Sequence, residues 1–160
     1  MRVLAIDPGY ERCGVAVLEQ ERGGKEDLLY SECLQTSTSL PFPERLRSIV
    51  DSCVTIMERY NPSALAIERL YFNTNQKTAM AVAEVRGALL YAATVRDIAV
   101  SEYTPSSIKT AVAGWGRADK QQVITMVGKI VAIKEPIEFD DEYDAIAIGI
   151  THLAHSRSHH

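Results

Sequence analysis

Cysteine is scarce in this chain, and its placement excludes the common cysteine sites. Cys13, Cys33 and Cys53 are widely spaced and form no Cys-x-x-Cys pair. That argues against a zinc site or a disulfide framework and suits a reducing cytoplasm. Long hydrophobic runs are also missing: no stretch approaches the roughly 18 uninterrupted apolar residues of a membrane span. Met1-Arg2-Val3 leads straight into a strand pattern, without the charged and apolar regions of a signal peptide. A cytoplasmic protein with no membrane partner is therefore expected. Basic excess is absent as well, with 17 Lys and Arg against 21 Asp and Glu, a net charge of −4. This counts weakly against nucleic acid as a partner, unless some of the acids serve a metal site whose ions offset them. Repeats, linkers and low-complexity segments do not occur.

What remains is the makeup of one globular domain: 160 residues, 46% apolar and 24% charged, enough for a full hydrophobic core. The tail Ser156-Arg157-Ser158-His159-His160 resembles a vector remnant running into a histidine tag. The domain is expected to span 1–155, with 156–160 outside it.

Residues 2–7, 13–20 and about 27–36 read as strands joined by short polar turns, an antiparallel meander. Pro43 starts a helix of about 17 residues, and Asn61-Pro62 stops it. Residues 64–68 form a short, wholly apolar strand of the kind buried on both faces of a parallel pairing. An alanine-rich helix follows over about 76–96, then a strand over 98–103. A short helix opens at Pro105, a further one covers about 119–133, and the last spans about 141–155. Three consecutive strands followed by alternation with helices predict an α/β fold with a mixed sheet flanked by helices.

Four acidic residues sit where apolar segments stop or start. Asp7 ends Val3-Leu4-Ala5-Ile6, and Glu68 ends Ala64-Leu65-Ala66-Ile67. Asp141 and Asp144 precede Ala145-Ile146-Ala147-Ile148-Gly149-Ile150. A carboxylate at a strand end lies at the rim of a sheet beside the core, where a lone charge is poorly solvated. Several converging there suit a divalent cation, and an all-oxygen ligand set favours Mg²⁺ or Mn²⁺. Blander readings exist for each. Asp7-Pro8-Gly9 is also an ordinary strand-to-turn junction. Glu68 is also a solvated partner for Arg69, and the run Asp140–Asp144 also suits a helix N-terminus.

Among the basic residues, Lys109 and Lys120 flank Gly114-Trp115-Gly116, with Arg117 between them. The glycines would free the backbone to approach a phosphate. Tyr71 and Phe72, just beyond Glu68, suit base stacking or wedging, although one of the two is expected to pack in the core.

Taken together, these motifs resemble the RuvC-type Holliday junction resolvases over essentially residues 1–155. The matching features are Ile6-Asp7-Pro8-Gly9, Ala66-Ile67-Glu68, Lys109 with Gly114-x-Gly116-x-Ala118-x-Lys120, and Asp141-x-x-Asp144-Ala145-Ile146-Ala147-Ile148. The resemblance implies an RNase H-like fold with a five-stranded mixed sheet and helices on both faces. It implies a homodimer that nicks two strands of like polarity in a four-way DNA junction, working with the branch-migration proteins RuvA and RuvB. It assigns Asp7, Glu68, Asp141 and Asp144 to metal, and Lys109 and Lys120 to the scissile phosphate. Tyr71 falls at a stacking aromatic; apart from the resemblance, Arg117 between the two lysines is expected to be a further DNA contact. Two divalent ions about 4 Å apart would activate water and stabilise the leaving 3′ oxygen, leaving 5′-phosphate and 3′-hydroxyl ends. The small-residue helix at 76–96, with Ala79, Ala81, Ala83, Ala88, Ala92, Ala93, Val82, Leu89 and Leu90, is expected in the dimer interface as well as against its own sheet.

Other readings remain. A YqgF-type RNA-processing nuclease shares the first aspartate but not the run from Lys109 to Lys120. An actin-like ATPase opens similarly but needs two such domains to clamp a nucleotide. A DNA-binding module without catalysis would not need all four acids.

Overall fold

A computed structural model describes residues 1–21, 23–70 and 76–157. Among these residues, five strands and five helices follow one another: β1 (Arg2–Asp7), β2 (Arg12–Gln20), β3 (Glu26–Gln35), α1 (Phe42–Tyr60), β4 (Ala64–Glu68), α2 (Gln76–Thr94), β5 (Ala99–Tyr103), α3 (Pro105–Ala113), α4 (Lys120–Ile130) and α5 (Asp140–Arg157). The strands form one sheet in the order β3-β2-β1-β4-β5. The meander β1-β2-β3 is antiparallel, whereas β1-β4 and β4-β5 are parallel. This is the expected five-stranded mixed sheet.

Local chemistry sets most boundaries. Pro41 and Pro43 bracket the start of α1, and Asn61 ends it in a left-handed conformation with its N–H on the Met57 carbonyl. Thr104 caps α3 by accepting from the Ser107 N–H, and Asp119 forms a capping box with Gln122 at α4. Three helices have ends that differ from expectation. The second helix stops at Thr94 because Asp97 turns left-handed and Ile98 donates its N–H to the Ala93 carbonyl. The helix expected to reach 133 stops at Ile130, because Val131 is extended and buries its side chain in the core. At the other end, α5 begins at Asp140 and continues through Arg157.

Each face of the sheet has its own core. Leu4, Ile6, Val15, Val17, Leu65 and Ile67 pack against α1 and α2. Val3, Ala5, Ala16, Ala64 and Ala66 face α3, α4 and α5. Strand side chains alternate between faces, so the bulky set points one way and a largely alanine set the other. The small set lets α5 lie close to β1 and β2. Its residues Ala145 to Ile148 are at most 1% exposed, and burying such side chains contributes on the order of 25 cal/mol per Å².

Candidate active site

The alternation that sorts the core also aims the acids. On β1, residues 3 and 5 face α5, and Asp7 is the next residue on that side. On β4 the same holds for Ala64, Ala66 and then Glu68. Ile6 pairs with Ile67 in the parallel register, so Asp7 and Glu68 leave adjacent strand ends together, on the helix-covered face. Across from them stands the first turn of α5. Its approach is fixed at Gly14, where a Cβ would lie 1.9 Å from the Asp141 carbonyl oxygen. Only glycine there lets the start of α5 touch β2.

The resulting electrostatics are adverse for charge. Burial pushes the Asp7 carboxyl well above its ordinary range, and Asp144, Glu68 and Asp141 push it further. Glu68 is raised by burial and by Asp144, with Lys109 and Lys120 opposing. Asp144 is likewise raised by burial, against the hydrogen bond from Lys120. Asp140, on the rim, is lowered by that same ammonium. Lys120 contacts Asp140 Oδ2 at 2.5 Å and Asp144 Oδ2 at 2.9 Å. Burial pulls its pKa down, but the two carboxylates win and hold it above the ordinary lysine range.

A cleft of about 250 Å³ opens between α3, α4 and α5, lined by Glu68, Lys109, Lys120 and Asp144 with Ile108, Val123 and Ile148 behind them. A second depression of about 310 Å³ lies on the other side of Glu68 and includes Asp7, Pro8 and Val82. Glu68 and Pro105 belong to both. The two lysines singled out from sequence therefore meet two of the four acids in one cleft, and Asp7 adjoins it.

Other expectations change. Arg69 does not pair with Glu68: its Nε is 3.5 Å from Glu102 Oε2. Glu142, in the same acidic run, turns away and accepts a hydrogen bond from Ser31 Oγ at 2.5 Å. Gly116 has an internal reason to be glycine, since a Cβ there would meet Ser106 Oγ at 2.4 Å. Gly114 adopts φ +86 as the C-cap of α3. The pair thus folds the turn onto α3, and backbone access for a phosphate is not needed to explain it. Arg117 is exposed on this turn and lines neither depression. Tyr71 and Phe72 lie outside the described residues.

Two supporting residues escaped sequence reading. Arg86 of α2 donates from Nε to the Glu68 carbonyl at 3.4 Å while its Nη2 pairs with Glu102 at 2.7 Å. Arg12 places Nε 3.1 Å from Asp141 Oδ2. Neither sits in a motif. Both act across long sequence separations that periodicity does not register.

Among the described residues, no three His, Cys, Asp or Glu side chains are gathered into a ready metal cage. Lys120 and Arg12 hold two of the carboxylates instead. By donor type the set still fits a hard divalent ion: it is all oxygen, it includes a buried acid with a strongly raised pKa, and its acids are mutually repulsive. Among the described residues no helix is long and apolar enough to cross a membrane.

Residues 3–152 match the family of crossover junction endodeoxyribonuclease RuvC. Among curated relatives, the protein of that name from Leifsonia xyli is 39% identical, covering 95% of this chain and 73% of its own. The one from Mycolicibacterium smegmatis is 40% identical over 95% of this chain and 82% of its own. The solved structure of Thermus thermophilus RuvC in complex with Holliday junction substrate superposes with a TM-score of 0.91 at 34% identity, covering 99% of this chain and 96% of that one. The yeast mitochondrial Holliday junction resolvase Ydc2, 16% identical over 98% of this chain and 83% of its own, shares the fold at a TM-score of 0.69. The sheet order, the carboxylates at adjacent strand ends and these likenesses agree: the chain belongs to the crossover junction endodeoxyribonuclease RuvC family.

Proposed function

We propose that this protein resolves four-way DNA junctions by paired, symmetric nicks during recombination and repair, and that Asp7, Glu68, Asp141 and Asp144 are its metal-binding carboxylates. The observation that carries the assignment is the convergence of Asp7 and Glu68 with the first turn of α5 at a site too crowded with negative charge to be only structural. A fold gains nothing from burying an acid among acids, whereas a divalent cation turns the same arrangement into a stable one. Mg²⁺ is the expected ion, two per site, with Mn²⁺ able to substitute; when bound it supplies an activated water and charge stabilisation for an in-line displacement.

The chain's own groups do the rest. Lys109 and Lys120 present positive charge to the cleft and meet the scissile phosphate. Lys120 also keeps Asp144 oriented until substrate arrives. Arg86 holds the β4 terminus through the Glu68 carbonyl, so the carboxylate is aimed by backbone as well as by packing. Arg117 and Tyr71 are further DNA contacts in this reading. The products are 5′-phosphate and 3′-hydroxyl ends. A two-fold junction requires two sites with matching symmetry, so the working unit is a homodimer. RuvA and RuvB are its expected partners, and the cytoplasm its compartment.

The deciding experiment incubates the protein with a synthetic four-way junction and with a linear duplex of the same sequence, in Mg²⁺, in Mn²⁺ and in a chelator. Paired nicks in the junction only, and only with metal, are expected. Equal cutting of the duplex, or cutting in the chelator, would refute the assignment.

A further inference from the structure

We propose that Arg12 is a DNA-phosphate residue, and that its transfer from Asp141 to the junction backbone couples DNA binding to metal binding. The inference rests on the functional reading above and adds a switch to it.

The ion pair is lopsided. Asp141 is held by its backbone, which packs directly on Gly14, and its side chain is 20% exposed. Arg12 opens β2 at the rim with its side chain 48% exposed. Its guanidinium reaches Asp141 Oδ2 at 3.1 Å, yet that buried oxygen has no aligned hydrogen bond. The guanidinium also lies 5.5 Å from the centre of the Phe139 ring. One member is thus fixed and the other can swing outward from an imperfect contact. Lys120, by contrast, makes a hydrogen bond of 2.9 Å to Asp144.

A phosphodiester offers Arg12 what Asp141 does not: two oxygens that match the guanidinium fork. Once Arg12 leaves, Asp141 repels Asp7 without the guanidinium that paired with it, and a divalent cation becomes the favourable partner. Without DNA, Arg12 competes with metal for the same oxygen. With DNA, the competitor is removed. Linkage requires the effect to be mutual, so metal also tightens junction binding.

The test uses the full chain with Arg12→Ala and Arg12→Lys. Junction affinity is measured by anisotropy in chelator over a salt series, and Mn²⁺ binding without DNA is measured by calorimetry. For Arg12→Ala, the slope of log affinity against log salt falls by about one relative to the parent, and DNA-free Mn²⁺ binding tightens several-fold. Arg12→Lys keeps the charge and the parental slope. Should Arg12→Ala fail to fold, Arg12→Met, which removes the charge and the donor but keeps an apolar stem beside Phe139, undergoes the same two measurements. An unchanged slope, or unchanged DNA-free Mn²⁺ affinity, overturns the proposal and makes Arg12 a fixed strut. If the parent itself does not prefer the junction over duplex, the functional reading fails; if it does and only the Arg12 results are flat, this inference alone fails.

Discussion

Asp7 and Glu68 stand side by side, one residue beyond the paired Ile6 and Ile67, at the carboxyl ends of two parallel strands. Strand ends of this kind project side chains from a rigid platform without loop flexibility, which is what a site of defined geometry needs. The platform has a thermodynamic cost in the absence of metal. Both carboxyls are raised above their ordinary range, first by burial and then by neighbouring acids. In acid, where they are protonated in folded and unfolded chains alike, they cost nothing. As pH rises through the ordinary carboxylate range the unfolded chain ionises first, and stability is lost until the raised native values are passed.

Asp7→Asn is therefore expected to stabilise the metal-free protein at neutral pH while abolishing cleavage. Each unit of pKa elevation is worth about 1.4 kcal/mol, and for a domain of this size about 1 kcal/mol corresponds to roughly 2–4 °C in Tm. Thermal unfolding in chelator at pH 8 and at pH 4 is the measurement. The gain is larger at pH 8; equal or negative changes at both would show that Asp7 is not under electrostatic stress.

Glu68→Gln and Asp144→Asn should each remove cleavage in Mg²⁺ and, in chelator, leave junction affinity intact or tighter. Most affinity for DNA comes from phosphate contacts, and neutralising an acid in the cleft reduces repulsion of the backbone. Cleavage and binding assays on the same preparations check this. Full activity of either variant in Mg²⁺ removes that residue from the catalytic set.

The placement of these acids was legible in sequence because an apolar run closing on a carboxylate is a local signal. The strand count, the meander and the mixed sheet followed from similar local signals. What was not legible depends on distant partners. Arg12 meets Asp141 across more than a hundred residues, and Arg86 reaches the Glu68 carbonyl from the following helix. Charge in a helix or at a strand start has many possible partners, so no pattern singles these out. The glycines at 114 and 116 read as phosphate-binding because the αL cap that Gly114 gives α3 and the packing of Gly116 against Ser106 appear only in the folded chain.

Lys120→Ala should slow cleavage far more than it weakens binding. Its ammonium touches Asp144 and Asp140 and lines the cleft with Lys109, so it serves charge that develops on the phosphate as well as resting charge. Single-turnover rates at saturating protein fall by about 10²-fold or more, the scale for losing a charge-stabilising donor. Lys109→Ala follows the same pattern. Rates unchanged at saturation in both would reduce the two lysines to ordinary backbone contacts.

The dimer can be tested on α2 by contrasting two of its faces. Leu89 is fully buried against its own sheet, with Val85 and Ala93, so its expected share in the interface gives way to a place in the core. Leu89→Asp should therefore unfold the chain, since loss of a buried leucine alone costs about 2–5 kcal/mol. Tyr91 and Met80 lie on the outer side of the same helix, 71% and 61% exposed, and large apolar side chains left in water mark an association surface when they cluster. Tyr91→Lys should keep the fold, seen as an unchanged far-ultraviolet spectrum, while weakening self-association at least tenfold by sedimentation. A parent protein that stays monomeric at micromolar concentration, with and without junction, would remove the two-fold geometry from the resolvase reading.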